Sequence, residues 1–191
     1  MQNATSWLRP EQVEMIQRWI ATGTPEGDAR DRPAAPVFTG GWQLGAPDLE
    51  LAPTGAYRLE PGDDDVYRNL VFRVTLTADT YVRAIEFKTN GAPIHHAVIR
   101  LANGAAARRH DDDDGQPGFS GMASRYARDP DGHFVGWAPG RGPIQSPEGM
   151  PWRLPAGTDI VVEMHMVRPK TARDVRPWYL NSWMSARSTP S

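Results

Sequence analysis

A mainly β fold, an antiparallel β-sandwich of jelly-roll-like type with one short N-terminal helix, is predicted by three features of this sequence. Glycine and proline together make up 36 of the 191 residues, about 19% against an average usage of about 12%, and helix interiors tolerate neither well. Short apolar segments with an alternating pattern follow one another at close spacing, as in sandwiches. Helical periodicity is confined to one stretch near the N-terminus.

The predicted helix covers residues 8–22. Pro10 suits a first helical turn and Gly23 suits a helix end. A stretch rich in Pro, Asp and Arg without periodicity follows, which is typical of a linker. We therefore divide the chain into a helical tail at residues 1–24, a linker at 25–36 and a β domain at 37–191.

Strands are predicted at residues 48–51, 57–59, 66–75, 81–88, 94–101 and 159–167, with a further candidate at 178–183. In the alternating segment 66–75, Leu70, Phe72 and Val74 share one face, and Arg73 and Thr75 point to the other. Residues 102–151 are rich in Gly, Asp and Pro, and we expect them to be irregular.

Several classes of function are excluded by composition. A net charge of -2 and a pI near 6.2 give no electrostatic footprint for nucleic acid or for an anionic membrane. No apolar run approaches the ~18 residues of a membrane span, and no signal-peptide pattern precedes the helix. The chain has no cysteine, which excludes thiolate metal sites and covalent haem attachment. Either the protein is cytoplasmic, or the chain is an internal piece of a longer one.

The candidate site residues are three of the five histidines. His95, His96 and His165 lie in predicted strands, whereas His110 and His133 lie in polar loops. A single strand histidine is more often a hydrogen-bonded core residue than a ligand, but an adjacent pair with a third strand histidine favours a metal. Imidazoles without a thiolate or paired carboxylates suit copper or zinc best.

One geometric condition must be met for this site. Neighbouring residues of a regular strand point to opposite faces, so His95 and His96 reach one ion only where the strand bulges, twists or ends. Pro93, which has no N–H for the ladder, favours such an irregularity. Glu163 shares the face of His165 and is a candidate to orient its imidazole.

Four motifs occur in a particular order: IHHAV at residues 94–98, GWAPG at 136–140, LPAG at 154–157 and VVEMHM at 161–166. This series resembles the N-terminal catalytic-core domain of copper type II, ascorbate-dependent monooxygenases, the group of peptidylglycine α-hydroxylating monooxygenase and dopamine β-monooxygenase. The resemblance covers roughly residues 41–167. It implies that His95, His96 and His165 bind the electron-transferring copper, one per chain, and that ascorbate or another one-electron donor reduces it.

The bacterial members of this family carry a c-type cytochrome domain before the copper domain. Residues 8–28 are similar to the last helix and tail of such a domain, although no haem-attachment motif is present, so we do not expect this chain to bind haem. Together these resemblances imply a fragment of a larger periplasmic or secreted oxidoreductase.

The sequence departs from the family pattern after His165. The family hydroxylates its substrate at a second copper, held by a His-x-His pair and a Met in a second sandwich domain. No histidine follows His165, and Met184 alone cannot form that site. We therefore expect an electron-transfer half that lacks the second monooxygenase domain and the cytochrome domain, and whether the chain is an enzyme by itself stays open.

Two other functions and the role of one further histidine remain open. In one alternative, the domain is a non-catalytic metal-binding or structural sandwich that packs against a cytochrome partner. A zinc hydrolase would need a general base, for which Glu163 is the candidate. His133 is either a fourth or exchangeable ligand or a surface-loop histidine.

Overall fold

A computed structural model describes residues 8–35, 41–53, 55–102, 104–111, 113–122, 125–130, 135–175 and 179–185. The chain separates into two compact units, residues 1–40 and 41–191. The first unit contains helix α1 (Pro10–Ala21) and a short 3-10 helix (Ala29–Asp31). Its apolar side chains, among them Trp19, are exposed. No helix in the described ranges combines the length and apolar character needed to cross a membrane.

The second unit is built from short strands and one short helix. They are β1 (Leu49–Leu51), β2 (Tyr57–Leu59), β3 (Val66–Phe72), β4 (Thr80–Lys88), β5 (Ile94–Ala102), α2 (Ala106–His110), β6 (Phe119–Ser120), β7 (Ala127–Arg128), β8 (Val135–Trp137), β9 (Ile144–Gln145), β10 (Trp152–Leu154), β11 (Ile160–Met166), β12 (Arg173–Val175) and β13 (Tyr179–Ser185). The predicted strands are all present, with ends that differ by up to a few residues.

Two antiparallel sheets form the sandwich, which confirms the predicted fold class. One has the strand order β1-β13-β4-β10, with β9 also paired to β4. The other has the order β6-β3-β11-β5-β7, with β8 also paired to β5, and a separate ladder joins β12 to β2. The central strands β3, β11 and β5 of the second sheet carry the candidate site.

One apolar core joins the inner faces of the two sheets. Val82 and Phe87 of β4 belong to the same cluster as Phe72 of β3 and Val162 and Met164 of β11. The alternation predicted for residues 66–75 is confirmed on both faces. Leu70, Phe72 and Val74 are buried, and Arg73 and Thr75 are exposed.

The segment 102–151 is more ordered than its composition predicts. It contains α2 and the strands β6 to β9, which pair with β3, β5 or β4. Ala107 and Phe119 from this segment pack with Val71 and Val161 on the outer face of the six-stranded sheet. Elements of two to five residues are too short to produce a periodic pattern in the sequence. The short strands of this segment are instead ordered by pairing with the longer strands of the two sheets.

Candidate metal centre

The three strand histidines meet on the outer face of the six-stranded sheet. In the antiparallel pairing of β11 with β5, His165 lies opposite His96, and Met166 lies opposite Ile94. His95 is therefore an extra residue without a partner in this register. The predicted local irregularity is confirmed as a β-bulge, in which two residues of one strand face one residue of the other.

The apolar pattern of β5 shows why the bulge forms. Ile94 and Ala97 both belong to the sandwich core, yet they are separated by an odd number of positions. A regular strand cannot bury both, because its side chains alternate between faces. The bulge absorbs the extra residue and leaves His95 and His96 outside the core.

The ring nitrogens of these histidines converge closely. The three Nδ1 atoms of His95, His96 and His165 are each 3.3 Å from the other two. The centre of such a triangle lies about 1.9 Å from every nitrogen, close to the metal–imidazole bond length of about 2.0–2.1 Å. These three side chains can therefore hold a metal ion.

Exposure differs around the cluster. His165 is buried, with 9% of its surface accessible, His96 is half-buried and His95 is exposed. The nitrogens therefore lie at the surface with one side accessible from solvent. Three neutral imidazoles, with no carboxylate or thiolate in the group, suit copper or zinc better than a hard cation such as calcium.

His165 has a second partner on the far side of its ring. Its Nε2 lies 2.7 Å from Oδ2 of Asp65. Because an ionised carboxylate only accepts hydrogen bonds, Nε2 carries the proton and donates it. Nδ1 is then left with a free lone pair directed at the other two histidines. A carboxylate in this place is a common support for metal-binding histidines.

Glu163 was the candidate for this role from the sequence, and Asp65 was given no role at the site. In the structure, His165 instead contacts Asp65, which directly precedes β3. The pairing of Met166 with Val66 carries Asp65 to the side of His165. No local signal marks this contact, because it depends on the pairing of β3 with β11.

Glu163 nevertheless contributes charge to the site. It is buried and lies two residues before His165 on the same face of β11. The pKa of His96 is lowered, first by burial and then by the positive charges of His165 and His95, while Glu163 acts in the opposite direction. His96 is therefore held in the neutral form that a metal requires.

Tyr67 is a further residue that the sequence analysis missed. It lies opposite His165 on β3, and the two rings are stacked with centroids 4.6 Å apart. This contact depends on pairing between distant segments, so neither residue type nor spacing indicates it. The tyrosine covers one face of the ligand ring.

The other candidates are placed elsewhere or not described. His110 hydrogen-bonds with Oδ2 of Asp113 at 2.7 Å and packs against Tyr126, outside the cluster. Met164 and Met166, on either side of His165, face the core. His133 and Trp178 lie outside the described residues, as does the side chain of Met184.

Comparisons with protein-family models, with curated proteins and with solved structures give no match for this chain. The resemblance to copper monooxygenases therefore depends on the four sequence motifs. Function has to be argued from the geometry of the histidine cluster and the residues around it.

Proposed function

We propose that this chain is the copper-binding electron-transfer half of an ascorbate-dependent copper monooxygenase. The observation that carries the proposal is the triangle of Nδ1 atoms of His95, His96 and His165, 3.3 Å on each side. Its size matches one metal ion bound by three imidazoles. The motifs around these residues supply the comparison with the monooxygenase family.

Copper is favoured over zinc on two grounds. Divalent copper binds a given set of nitrogen ligands more tightly than divalent zinc does. Three imidazoles also leave the exposed side beside His95 open, which allows ligand geometries suited to both copper oxidation states. A bound copper would supply one-electron redox chemistry, and the protein residues would hold it and keep it reachable by a donor.

An electron-transfer role is favoured over independent hydroxylation. In the described ranges, the three histidines form the only group of three or more candidate ligands. No histidine follows His165 in the sequence, so the His-x-His pair of the resembled family has no counterpart there. On this proposal, ascorbate or another one-electron donor supplies the electron. A second copper domain and a c-type cytochrome domain complete a periplasmic or secreted enzyme.

Two measurements distinguish this proposal from its alternatives: reduction of the bound copper by ascorbate, and turnover of substrate. The purified chain is loaded with Cu(II), ascorbate is added, and the loss of the Cu(II) signal is followed by electron paramagnetic resonance. Oxygen uptake is measured in parallel with peptide and phenethylamine substrates. We expect reduction of the copper without substrate-dependent oxygen uptake.

The outcomes discriminate between the candidates. Copper-dependent hydroxylation by the isolated chain would contradict the half-enzyme proposal. Failure of ascorbate to reduce the bound metal, or a stable preference for zinc, would favour a structural or zinc-binding domain. His110→Ala serves as the matched control, because it removes a histidine that lies outside the cluster.

A further inference from the structure

We propose that Asp65 is a positioning residue that fixes the tautomer of His165 and tunes the metal through that ring. This inference deepens the proposed function and depends on the same histidine cluster. Its starting observation is the 2.7 Å contact between Asp65 Oδ2 and His165 Nε2. Asp65 touches the ligand ring on the side opposite to the converging Nδ1 atoms.

The strand register places Asp65 beside the ring, although 50% of its side chain is exposed to solvent. Asp65 immediately precedes β3, and the first residue of that strand, Val66, pairs with Met166 next to His165. The next residue, Tyr67, stacks on the face of the imidazole with an interplanar angle of 3°. Asp65 thus contacts the edge of the ring, Val66 anchors the strand, and Tyr67 covers the face of the ring.

The protonation pattern follows from this contact. A neutral imidazole has one N–H donor and one acceptor nitrogen, and the carboxylate requires the donor at Nε2. The alternative tautomer would place the N–H of His165 at Nδ1, where it would block the metal position. Asp65 therefore selects the form of His165 that can bind.

The carboxylate also changes the electronic character of the ligand. Its negative charge, hydrogen-bonded to the far side of the ring, increases the electron density that Nδ1 donates to a metal and favours the metal state of higher charge. The hydrogen bond of Asp65 is made to His165 Nε2, so this effect enters through the His165 ring. Asp65 thus stabilises Cu(II) relative to Cu(I) and lowers the reduction potential of the site.

Two variants separate charge from hydrogen bonding. Asp65→Asn keeps an oxygen acceptor for the His165 N–H but removes the charge, and Asp65→Ala removes both. In Asp65→Asn we expect the affinity for Cu(II) to fall about tenfold more than that for Cu(I), which corresponds to a rise in midpoint potential of about 59 mV. In Asp65→Ala, metal affinity should fall by about 10- to 100-fold.

The control is Asp63→Asn, which removes the same charge from an exposed position in the same turn. It should leave the potential and the affinity close to those of the wild type. Equal shifts in Asp63→Asn and Asp65→Asn would show a general effect of charge and overturn the proposal. Wild-type affinity and potential in Asp65→Asn and Asp65→Ala would also overturn it.

Two readouts keep this inference distinct from the proposed function. Nitrogen-15 resonances of the metal-free protein should show the Nε2–H tautomer of His165 in the wild type and a mixture in Asp65→Ala. The Nδ1–H tautomer in the wild type would refute the role of Asp65. If ascorbate reduces no bound copper, the proposed function fails, and Zn²⁺ affinity in Asp65→Ala against Asp63→Ala still decides the positioning role. Circular dichroism confirms that each variant is folded.

Discussion

The phenol ring of Tyr67 lies parallel to the imidazole of His165, with ring centroids 4.6 Å apart and an angle of 3° between the planes. The two residues are register partners across β3 and β11, so the sheet itself brings the rings together. Tyr67 restricts the tilt of His165, and the hydrogen bond to Asp65 restricts its rotation. A ligand held on both its face and its edge needs little ordering when the metal binds.

Replacing Tyr67 by Ala should weaken metal binding by up to about tenfold, because an aromatic pair of this kind is worth about 0.5–1.5 kcal/mol beyond its buried area. Isothermal titration with the metal measures the change. Tyr67→Phe keeps the ring and should bind as the wild type does. An equal loss in both variants would assign the effect to the hydroxyl group and contradict the stacking argument.

Replacing His165 by Ala should abolish stoichiometric copper binding. The change removes one of the three converging nitrogens and also leaves Asp65 without its imidazole partner. Copper titration followed by elemental analysis gives the stoichiometry. A full equivalent of copper in His165→Ala would disprove the ligand assignment.

His110→Ala and His133→Ala are the controls for this measurement, and both should retain copper. His110 is held by Asp113 away from the cluster, and the loop position of His133 is known only from the sequence. A tenfold loss of affinity in His133→Ala, about 1.4 kcal/mol, would identify His133 as a ligand or a close support of one.

In the metal-free protein, His96 should protonate at a lower pH than an ordinary histidine, whose pKa is about 6.5. Burial lowers this pKa most, and the charges of His165 and His95 lower it further. The unfolded chain then binds the proton more readily than the folded one. The contribution of His96 to the free energy of unfolding is thus complete above pH ~6.5 and decreases as the pH falls towards the folded pKa.

Proton resonances of the imidazole rings give this pKa directly. In His165→Ala it should rise, since the change removes one neighbouring charge and opens the site to solvent. An unchanged or lower value in that variant would contradict the stated causes. His96→Gln should reduce the decline in stability below pH ~6.5, measured by chemical denaturation.

Arg68 should be far more important for stability than the exposed arginines. Its side chain has 0% of its surface accessible, and it donates to Asp114 at 2.5 Å and to backbone carbonyls of the loop before β6. Arg68→Met leaves these backbone acceptors without their donor, whereas Asp114 is 48% exposed and can be hydrated. The free energy of unfolding should fall by about 1–3 kcal/mol, the cost of an unsatisfied buried polar group.

Arg153→Met is the matched comparison. Arg153 also pairs with an aspartate at 2.5 Å, but both side chains are exposed, 52% for Arg153 and 42% for Asp79. The cost should stay below about 1 kcal/mol. Similar losses in the two variants, measured by urea unfolding, would mean that burial does not determine the strength of the Arg68 network.

The sequence was informative wherever the signal is local or periodic. The alternation of Leu70, Phe72 and Val74 identified the side of β3 that faces the sandwich core, because strand side chains alternate. The paired histidines of β5 and the histidine of β11 were recognisable as residue types that bind metals. The need for a bulge followed from the same alternation, and the pairing of β5 with β11 contains a bulge at His95.

The surroundings of the histidines were not predictable in the same way. Asp65 and Tyr67 reach His165 through the pairing of β3 with β11, two segments far apart in the sequence. Antiparallel register between distant strands is set by the packing of the whole sandwich, and no single segment encodes it. The short elements α2, β6 to β10 and β12 were missed because elements of so few residues carry no periodic pattern of their own.

Because of the bulge, deleting residue 95 and substituting it have different effects on the strand. Substituting His95 removes one of the three converging imidazoles but keeps the extra residue, so the irregular ladder stays. Deleting it leaves Ile94 inward, His96 outward and Ala97 inward, which is the alternation of an ordinary strand. A single codon therefore separates a sheet with three converging histidines from a plain one that keeps the same core.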